Sequence, residues 1–344
     1  MDSLTQIVLG AAVGEAVLGK KIGNKALLWG AIAGTIPDLD VISNFVVSNK
    51  MQATLMHRAF THSFLFAFLM APIFGYAVQK LFKNTNTTFR NWTTLFFWGF
   101  LTHILLDVQT SYGTQLLWPF HNRLAISNIF VVDPLYTLPF LIFVITVLFY
   151  KRSNPKRAKI NRIGIYVSSA YLILTLLIKG YTYKKFTNSL AYQKINYNRI
   201  ETGPTPFNAV LWYANVETDD AFYIGAYSLF DKSDFIRYKK FDKNPILRNS
   251  LKEYQTFNEM NRFSKDWYVL TQKDSTTYYN NIRFGLMGFE PDNRDFFFSQ
   301  KINIKNNDVL FESERKKFKN NKKPSSFIKK MVKKIFIRAK GIKQ

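Results

Sequence analysis

Four apolar stretches in the first half of this chain, Ser63–Phe82, Trp92–Leu106, Phe130–Tyr150 and Ile163–Lys179, limit what it can fold into. Each is near the roughly 20 residues a helix needs to cross a bilayer core, with Trp92–Leu106 the shortest. Within hydrocarbon a backbone must satisfy its own hydrogen bonds, so such stretches predict helices and, together, an α-helical polytopic membrane domain over residues 1–180. Two further segments, Leu4–Leu18 and Lys25–Ile36, are rich in Gly and Ala, which suits close helix contact, and are short for comfortable spans. They predict a tilted pair or a re-entrant hairpin. The near-neutral mean hydropathy of the whole chain hides this pattern, because residues 181–344 are polar, aromatic and Lys-rich.

Basic loops give an orientation. Lys151, Arg152, Lys156, Arg157, Lys159 and Arg162 lie between two strong apolar stretches, which places that loop in the cytoplasm. Counting back, Lys80, Lys83 and Arg90 fall in a second cytoplasmic loop, and Lys20, Lys21 and Lys25 in a third. Counting forward, the last stretch delivers residues 181–312 to the outer side of a plasma membrane. Those residues read as a β-rich (α+β) soluble extracytoplasmic domain. Ala209–Val216 and Phe222–Phe230 flank Glu217–Asp220 as a hairpin, and Asp266–Gln272, Thr276–Gly288 and Phe296–Ile304 continue as strands. Residues 313–344 change character again. Phe327, Ile328, Met331, Val332, Ile335 and Phe336 recur at helical spacing among lysines, the pattern of a basic amphipathic helix on a membrane surface, with a solvated tail as the alternative.

The net charge of +24 would suit nucleic acid or an anionic membrane as partner. Thirteen Lys/Arg and no acid lie in 315–344, and with so much apolar sequence upstream, anionic lipid is the expected partner and nucleic acid is not. Cysteine is absent, which excludes a disulfide frame, a thiolate metal site and a thiol nucleophile. Met1–Leu9 has no basic lead-in, so no cleaved signal peptide is expected. Oligomeric state is not legible.

All four histidines lie in the first 121 residues. With the basic loops inside, Asp2, Asp38, Asp40, His57, His62, His103, Asp107 and Asp133 all fall on the outer side. Ionisable groups beside hydrocarbon cost several kcal/mol unless paired or metal-bound. His103 and Asp107, at i and i+4, share one helix face. His57 and His62 flank a helix start, and Asp38 and Asp40 alternate around a leucine beyond Pro37. Mixed imidazole and carboxylate suits a divalent ion, Zn²⁺ first and Mn²⁺ or Fe²⁺ next, held by Asp38, Asp40, His57, His62, His103 and Asp107. Arg58 offers a planar fork for an anionic substrate oxygen. Each residue has a plainer reading alone: a lone helix-end histidine caps or sits at the interface, Asp38 and Asp40 could be turn residues, and Asp2 with Ser3 could be an N-cap. His121 and Asp133 read as structural.

These motifs resemble the membrane-bound metal-dependent hydrolase family of YdjM/YbcI-like inner-membrane proteins. The likeness rests on Met1-Asp2-Ser3-Leu4-Thr5, Gly10-Ala11-Ala12, Pro37-Asp38-Leu39-Asp40, His57-Arg58, Thr61-His62-Ser63, and His103 with Asp107, Thr110, Tyr112 and Gly113. Leu117-Trp118-Pro119-Phe120 adds to it, and together they cover about the first 135 residues. At Gln6 the chain departs from many relatives, which carry His there. A fainter likeness is to zinc-dependent phospholipase C enzymes, which also use His-x-x-x-Asp on a helix. The resemblance implies a hydrolase class, and the position of the site beside the membrane makes a membrane-borne ester, a lipid phosphoester first, the expected substrate. It would be cleaved by metal-bound hydroxide, with Arg58 and Asp2 as catalytic residues and Asp38 or Asp40 as ligand or base. The competing readings are a metal or proton transporter and an envelope scaffold.

Overall fold

The structure, a computed structural model, describes residues 1–42, 57–82, 86–287, 296–305, 308–313 and 324–341. Lys83 and residues 315–323 and 342–344 of the basic tail lie outside the described residues. The chain forms two compact units, Met1–Leu176 and Leu177–Gln344.

The first unit is helical: α1 (Ser3–Ile22), α2 (Asn24–Thr35), α3 (Phe64–Leu81), α4 (Phe89–Val108), α5 (Pro134–Leu148) and the first part of α6 (Pro155–Tyr192). Short 3-10 segments at Ile36–Ile42 and Phe60–His62 follow α2 and precede α3. Among the described residues two helices, α3 and α6, are long and apolar enough to cross a membrane, and α5 is a shorter apolar helix. The stretch read as Trp92–Leu106 is the body of α4, whose Trp92, Leu95, Phe96, Phe100 and Ile104 are at most 1% exposed.

The segments read as a tilted pair or re-entrant hairpin form an antiparallel hairpin. Gly23 alone links α1 to α2, with φ +60° and ψ −134°, a backbone region that glycine occupies without a Cβ clash. Small residues then bring the two backbones together. A Cβ on Gly10 would stand 2.9 Å from the Gly34 Cα, and one on Gly14 would stand 2.7 Å from the Gly30 Cα. Gly10, Gly14, Gly30 and Gly34 are thus two matched small-xxx-small pairs. A Cβ on Gly99 would stand 2.6 Å from the Ala33 side chain, so α4 is seated on α2 just as closely.

Ionic and polar contacts sort by end. At one end Glu15 and Arg157 form a bidentate pair, both side chains 3% exposed, with Arg157 Nη1 also donating to Asn24 Oδ1 (2.6 Å) and the Tyr150 carbonyl (2.8 Å). The Lys21 carbonyl accepts from Arg152, and Lys21 donates to Asn91, so the three basic loops meet here. At the other end Asp2 N donates to the Val131 carbonyl, Gln6 reaches Asp107, and Asp133 caps α5 through Leu135 N.

The second unit carries two antiparallel four-stranded sheets, an α+β arrangement. The first is β1 (Arg199–Pro204), β2 (Leu211–Glu217), β3 (Ala221–Ser228) and β4 (Tyr238–Asp242); the second is β5 (Tyr268–Lys273), β6 (Thr276–Leu286), β7 (Phe296–Lys305) and β8 (Asp308–Ser313). The expected hairpin is β2–β3, with Glu217 facing Phe222 and Thr218 Oγ1 and Asp220 in its turn. Helices α7 (Pro245–Leu251) and α8 (Gln255–Ser264) join the sheets. The amphipathic segment is helix α9 (Pro324–Ala339). Its Ile335 and Ala339 pack on Leu211, and Arg338 forms a bidentate pair with Asp231.

The glycine contacts make a prediction. Gly14→Val forces its Cβ into the Gly30 backbone, an overpacking worth about 1–3 kcal/mol. The purified variant should unfold at lower temperature in detergent than the parent, whereas Val at Gly180, where nothing lies within 4 Å, should not lower it. Equal melting temperatures for Gly14→Val and the parent would contradict the close packing.

Candidate metal centre

The centre is assembled from three places in the sequence, and each has a local reason to point inward. Asp38 and Asp40 follow Pro37 in a 3-10 turn that leaves α2. His62 ends the 3-10 turn before α3, and Ser63 caps that helix by accepting from Phe66 N at 3.1 Å. His103 and Asp107 stand one turn apart on α4. The loop after α4 closes over the 57–63 turn through Gln115 N to the Arg58 carbonyl (3.1 Å) and Phe64 N to the Leu116 carbonyl (3.0 Å).

Asp38, His62, His103 and Asp107 each present one ligand atom, and the four atoms lie within 4.8 Å of one another. His62 Nε2 is 3.1 Å from His103 Nε2, 3.3 Å from Asp38 Oδ1 and 3.2 Å from Asp107 Oδ2. His103 Nε2 is 3.5 Å from Asp38 Oδ1 and 3.9 Å from Asp107 Oδ2. Tetrahedral ligands about 2.1 Å from a zinc ion lie about 3.4 Å apart, and these five spacings, from 3.1 to 3.9 Å, scatter around that value. The side chains of His62, His103 and Asp107 are 0% exposed, while that of Asp38 is 19% exposed and forms the open side.

Whether these groups fit a cation is testable on their hydrogen bonds. His103 Nδ1 lies 2.6 Å from the Gly34 carbonyl, to which it can only donate, so Nε2 presents its lone pair to the cluster. His62 Nδ1 is engaged by Thr61 Oγ1 (3.0 Å) and by Asp40 Oδ2 (3.4 Å), which turns its Nε2 inward as well. Asp107 Oδ2 is buried, 3.2 Å from His62 Nε2 and 2.9 Å from Arg58 Nε. Imidazole nitrogens and carboxylate oxygens thus converge on one buried place, a donor set that suits a divalent cation. The imidazoles and carboxylates also stabilise each other's charged forms. Burial would lower the His62 pKa, yet hydrogen bonds to Asp107, Asp38 and Asp40 raise it to about 9. Burial would raise Asp38 and Asp40, yet their hydrogen bonds to His103 and His62, and to His57 and His62 respectively, hold both carboxyls well below the usual range.

The other residues expected at a site lie around this set. Asp40 and His57 stand beside it, with His57 Nδ1 2.7 Å from Asp40 Oδ1. Asp40 Oδ2 accepts from Arg58 N and Thr61 Oγ1, each at 2.9 Å. The His57 ring is 27% exposed. Arg58 has φ +58°, a left-handed conformation uncommon outside glycine, and its side chain turns in until Nε is 2.9 Å from Asp107 Oδ2, with Nη1 donating to Thr110 Oγ1 at 3.0 Å. The guanidinium also lies 4.8 Å from the Tyr112 ring centre. Asp2 lies apart, because its carboxylate caps α1 by accepting from Thr5 N (3.1 Å) and Thr5 Oγ1 (2.5 Å). His121 is exposed outside the set.

Gln6 is the residue that sequence reasoning missed. It is 1% exposed and donates to Asp107 Oδ1 at 3.0 Å, an oxygen that also receives the Met1 amino group. Its signal was present, since Gln6 is the position at which the chain departs from the histidine of many relatives. The Gly34 carbonyl that orients His103 had no such signal.

Comparison with known proteins supplies the family. The model of the YdjM inner membrane protein family matches residues 1–186. The inner membrane protein YbcI of Escherichia coli (strain K12) is 30% identical over 122 residues, 35% of this chain and 68% of YbcI. A Bacillus subtilis (strain 168) protein described as uncharacterized, YfhP, is 27% identical over 236 residues, 65% of this chain and 68% of the relative. No solved structure matches. A family match over more than half the chain, embracing every residue of the buried Asp/His/His/Asp group, makes this chain a member of the YdjM inner membrane protein family.

Proposed function

We propose that the chain is a multi-pass plasma-membrane hydrolase that cleaves a membrane-borne ester, a lipid phosphoester first, with a divalent ion held by Asp38, His62, His103 and Asp107. The observation that carries this reading is the convergence of those four ligand atoms, two imidazole nitrogens and two carboxylate oxygens, within 4.8 Å of one another. Two imidazole nitrogens and two carboxylate oxygens favour Zn²⁺, with Mn²⁺ and Fe²⁺ as alternatives. Such an ion would supply Lewis-acid polarisation of a phosphoryl or carbonyl oxygen and activation of water for attack.

The chain's own residues supply the rest. Asp38, on the open side, is placed to accept hydrogen bonds from water or substrate. Asp40 fixes one nitrogen of His57, leaving the other on the exposed side, where it can give a proton to a leaving oxygen. Arg58 adds a positive charge beside Asp107 for an anionic oxygen. An apolar rim supports a lipid substrate: Leu117, Trp118 and Phe120 are 65%, 38% and 70% exposed, and Trp118 packs its ring 5.0 Å from that of Phe60, just before His62. The gathering of basic loops at the opposite end favours a site on the outer membrane face, with the basic residues of 315–344 meeting anionic lipid.

Three outcomes are expected. Purified protein should carry at least one divalent transition ion per chain by plasma mass spectrometry, and His103→Ala/Asp107→Ala should lose it while far-UV dichroism stays helical. Stoichiometric metal in that variant would remove α4 from the site.

Arg58→Ala should keep its metal and lose about ten- to a hundredfold in turnover of a phosphodiester probe, the loss of one charge-assisted contact of about 1.5–3 kcal/mol. Arg58→Lys should recover part of it. Undiminished turnover refutes the role given to Arg58, and loss of metal would make it a support of Asp107.

With no native cysteine, Asn154→Cys is a clean topology probe. An impermeant thiol reagent should leave it unlabelled in intact cells, and strong labelling would put the metal centre on the cytoplasmic face.

A further inference from the structure

The second unit holds a cavity of about 230 Å³ that none of the chemistry above uses. Its wall begins as one row across the first sheet, because register pairs Arg199 with Glu217 and Glu217 with Phe222 on adjacent strands. Lys243 follows β4, and Asn244, in a left-handed conformation, caps α7 by accepting from Leu247 N at 3.2 Å. That helix carries Arg248 to the cavity, while Asp266 and Tyr268 enter from the start of β5.

The charges do not balance. Glu217 is shared, with Arg199 Nε and Lys243 Nζ each 2.9 Å from one of its oxygens. Arg248 makes no ion pair among the described residues, and neither does Asp266, which is exposed. Three cations against two carboxylates leave a net charge of +1 in the lining. The cations are also held in place. The Arg199 guanidinium lies 4.2 Å from the Trp267 ring centre and donates to the Lys265 carbonyl, and Lys243 Nζ lies 5.1 Å from the Phe222 ring centre. A second observation points to a ligand. Tyr268 is 5% exposed, and its buried hydroxyl, beside the Asn261 side chain, makes no hydrogen bond of good geometry among the described residues.

We infer that this cavity binds the phosphate group of a small molecule through Arg199, Lys243, Arg248 and the Tyr268 hydroxyl. Fixed N–H donors and an O–H suit phosphate oxygens. The volume is below the roughly 300–1,000 Å³ of cavities that take drug-sized ligands, which favours a headgroup or free phosphate. The net +1 suits a singly charged phosphate, and Asp266 at the wall repels more highly charged anions. The site is independent of the metal centre.

The test is calorimetric titration of the full chain in a non-ionic detergent at low salt, with inorganic phosphate and with glycerophosphoethanolamine as separate probes. At least one probe should bind saturably at one per chain. Binding of the headgroup compound alone marks a lipid headgroup as the source, and equal binding of both marks free phosphate. Arg248→Ala, at an exposed position, should weaken binding about tenfold. Tyr268→Phe keeps the ring that stacks on Tyr279 and should weaken it less, whereas Asp266→Asn should strengthen it. The opposite sign at Asp266 separates ligand binding from damage to the fold. Saturable binding of neither probe, or binding unchanged in both Arg248→Ala and Asp266→Asn, overturns the inference.

Discussion

Asp107 is a carboxylate with a fully buried side chain, and much of the first unit is organised by that fact. An isolated charge in such a place costs several kcal/mol, so compensating groups must be brought to it from other parts of the chain. Gln6 comes from α1, Arg58 and His62 from the turn before α3, and His103 from one turn earlier on α4. Asp38 adds a second carboxylate to the same pocket rather than relieving it. Met1 and Arg58 supply positive charge to Asp107, while the His62 and His103 nitrogens that converge with Asp38 and Asp107 are the groups on which the proposed metal-dependent activity rests.

The packing of the helices serves the same centre. Gly10, Gly14, Gly30 and Gly34 let α1 lie against α2, and the Ala33–Gly99 contact seats α4 on α2. The Gly34 carbonyl is thereby within 2.6 Å of His103 Nδ1, and Gln6 of α1 lies beside Asp107. Bulky side chains at these crossings would move the backbone atoms that orient the ligands, because interiors transmit such displacements rather than absorb them. The Glu15–Arg157 pair does the corresponding work at the far end, where α1, α2, α5 and α6 meet.

Much of this was legible in the sequence, for particular reasons. The apolar runs gave the helices because length and composition are local. His103 and Asp107 could be placed on one face because i, i+4 geometry is fixed by the helix itself. The β2–β3 hairpin was readable from two aromatic runs around a polar turn. What escaped was non-local. Nothing in the residue types separates Asp38 and His62, which reach the ligand set, from Asp40 and His57, which pair beside it; the difference is set by how one turn meets another across α4. Asp2 was read as a catalytic candidate with an N-cap as its plainer alternative, and its contacts are those of the cap. Strands β1, β4 and β8 and helices α7 and α8 carry weaker patterns, and the Arg199–Glu217–Phe222 row exists only once register is set.

X-ray absorption at the metal edge of the purified full-length protein tests the central claim most directly. The account predicts a first-row transition ion with nitrogen and oxygen neighbours at about 2.0–2.2 Å and outer-shell scattering from two imidazole rings, those of His62 and His103. Protein without a bound transition ion, or an ion whose spectrum contains no imidazole scattering, would contradict it.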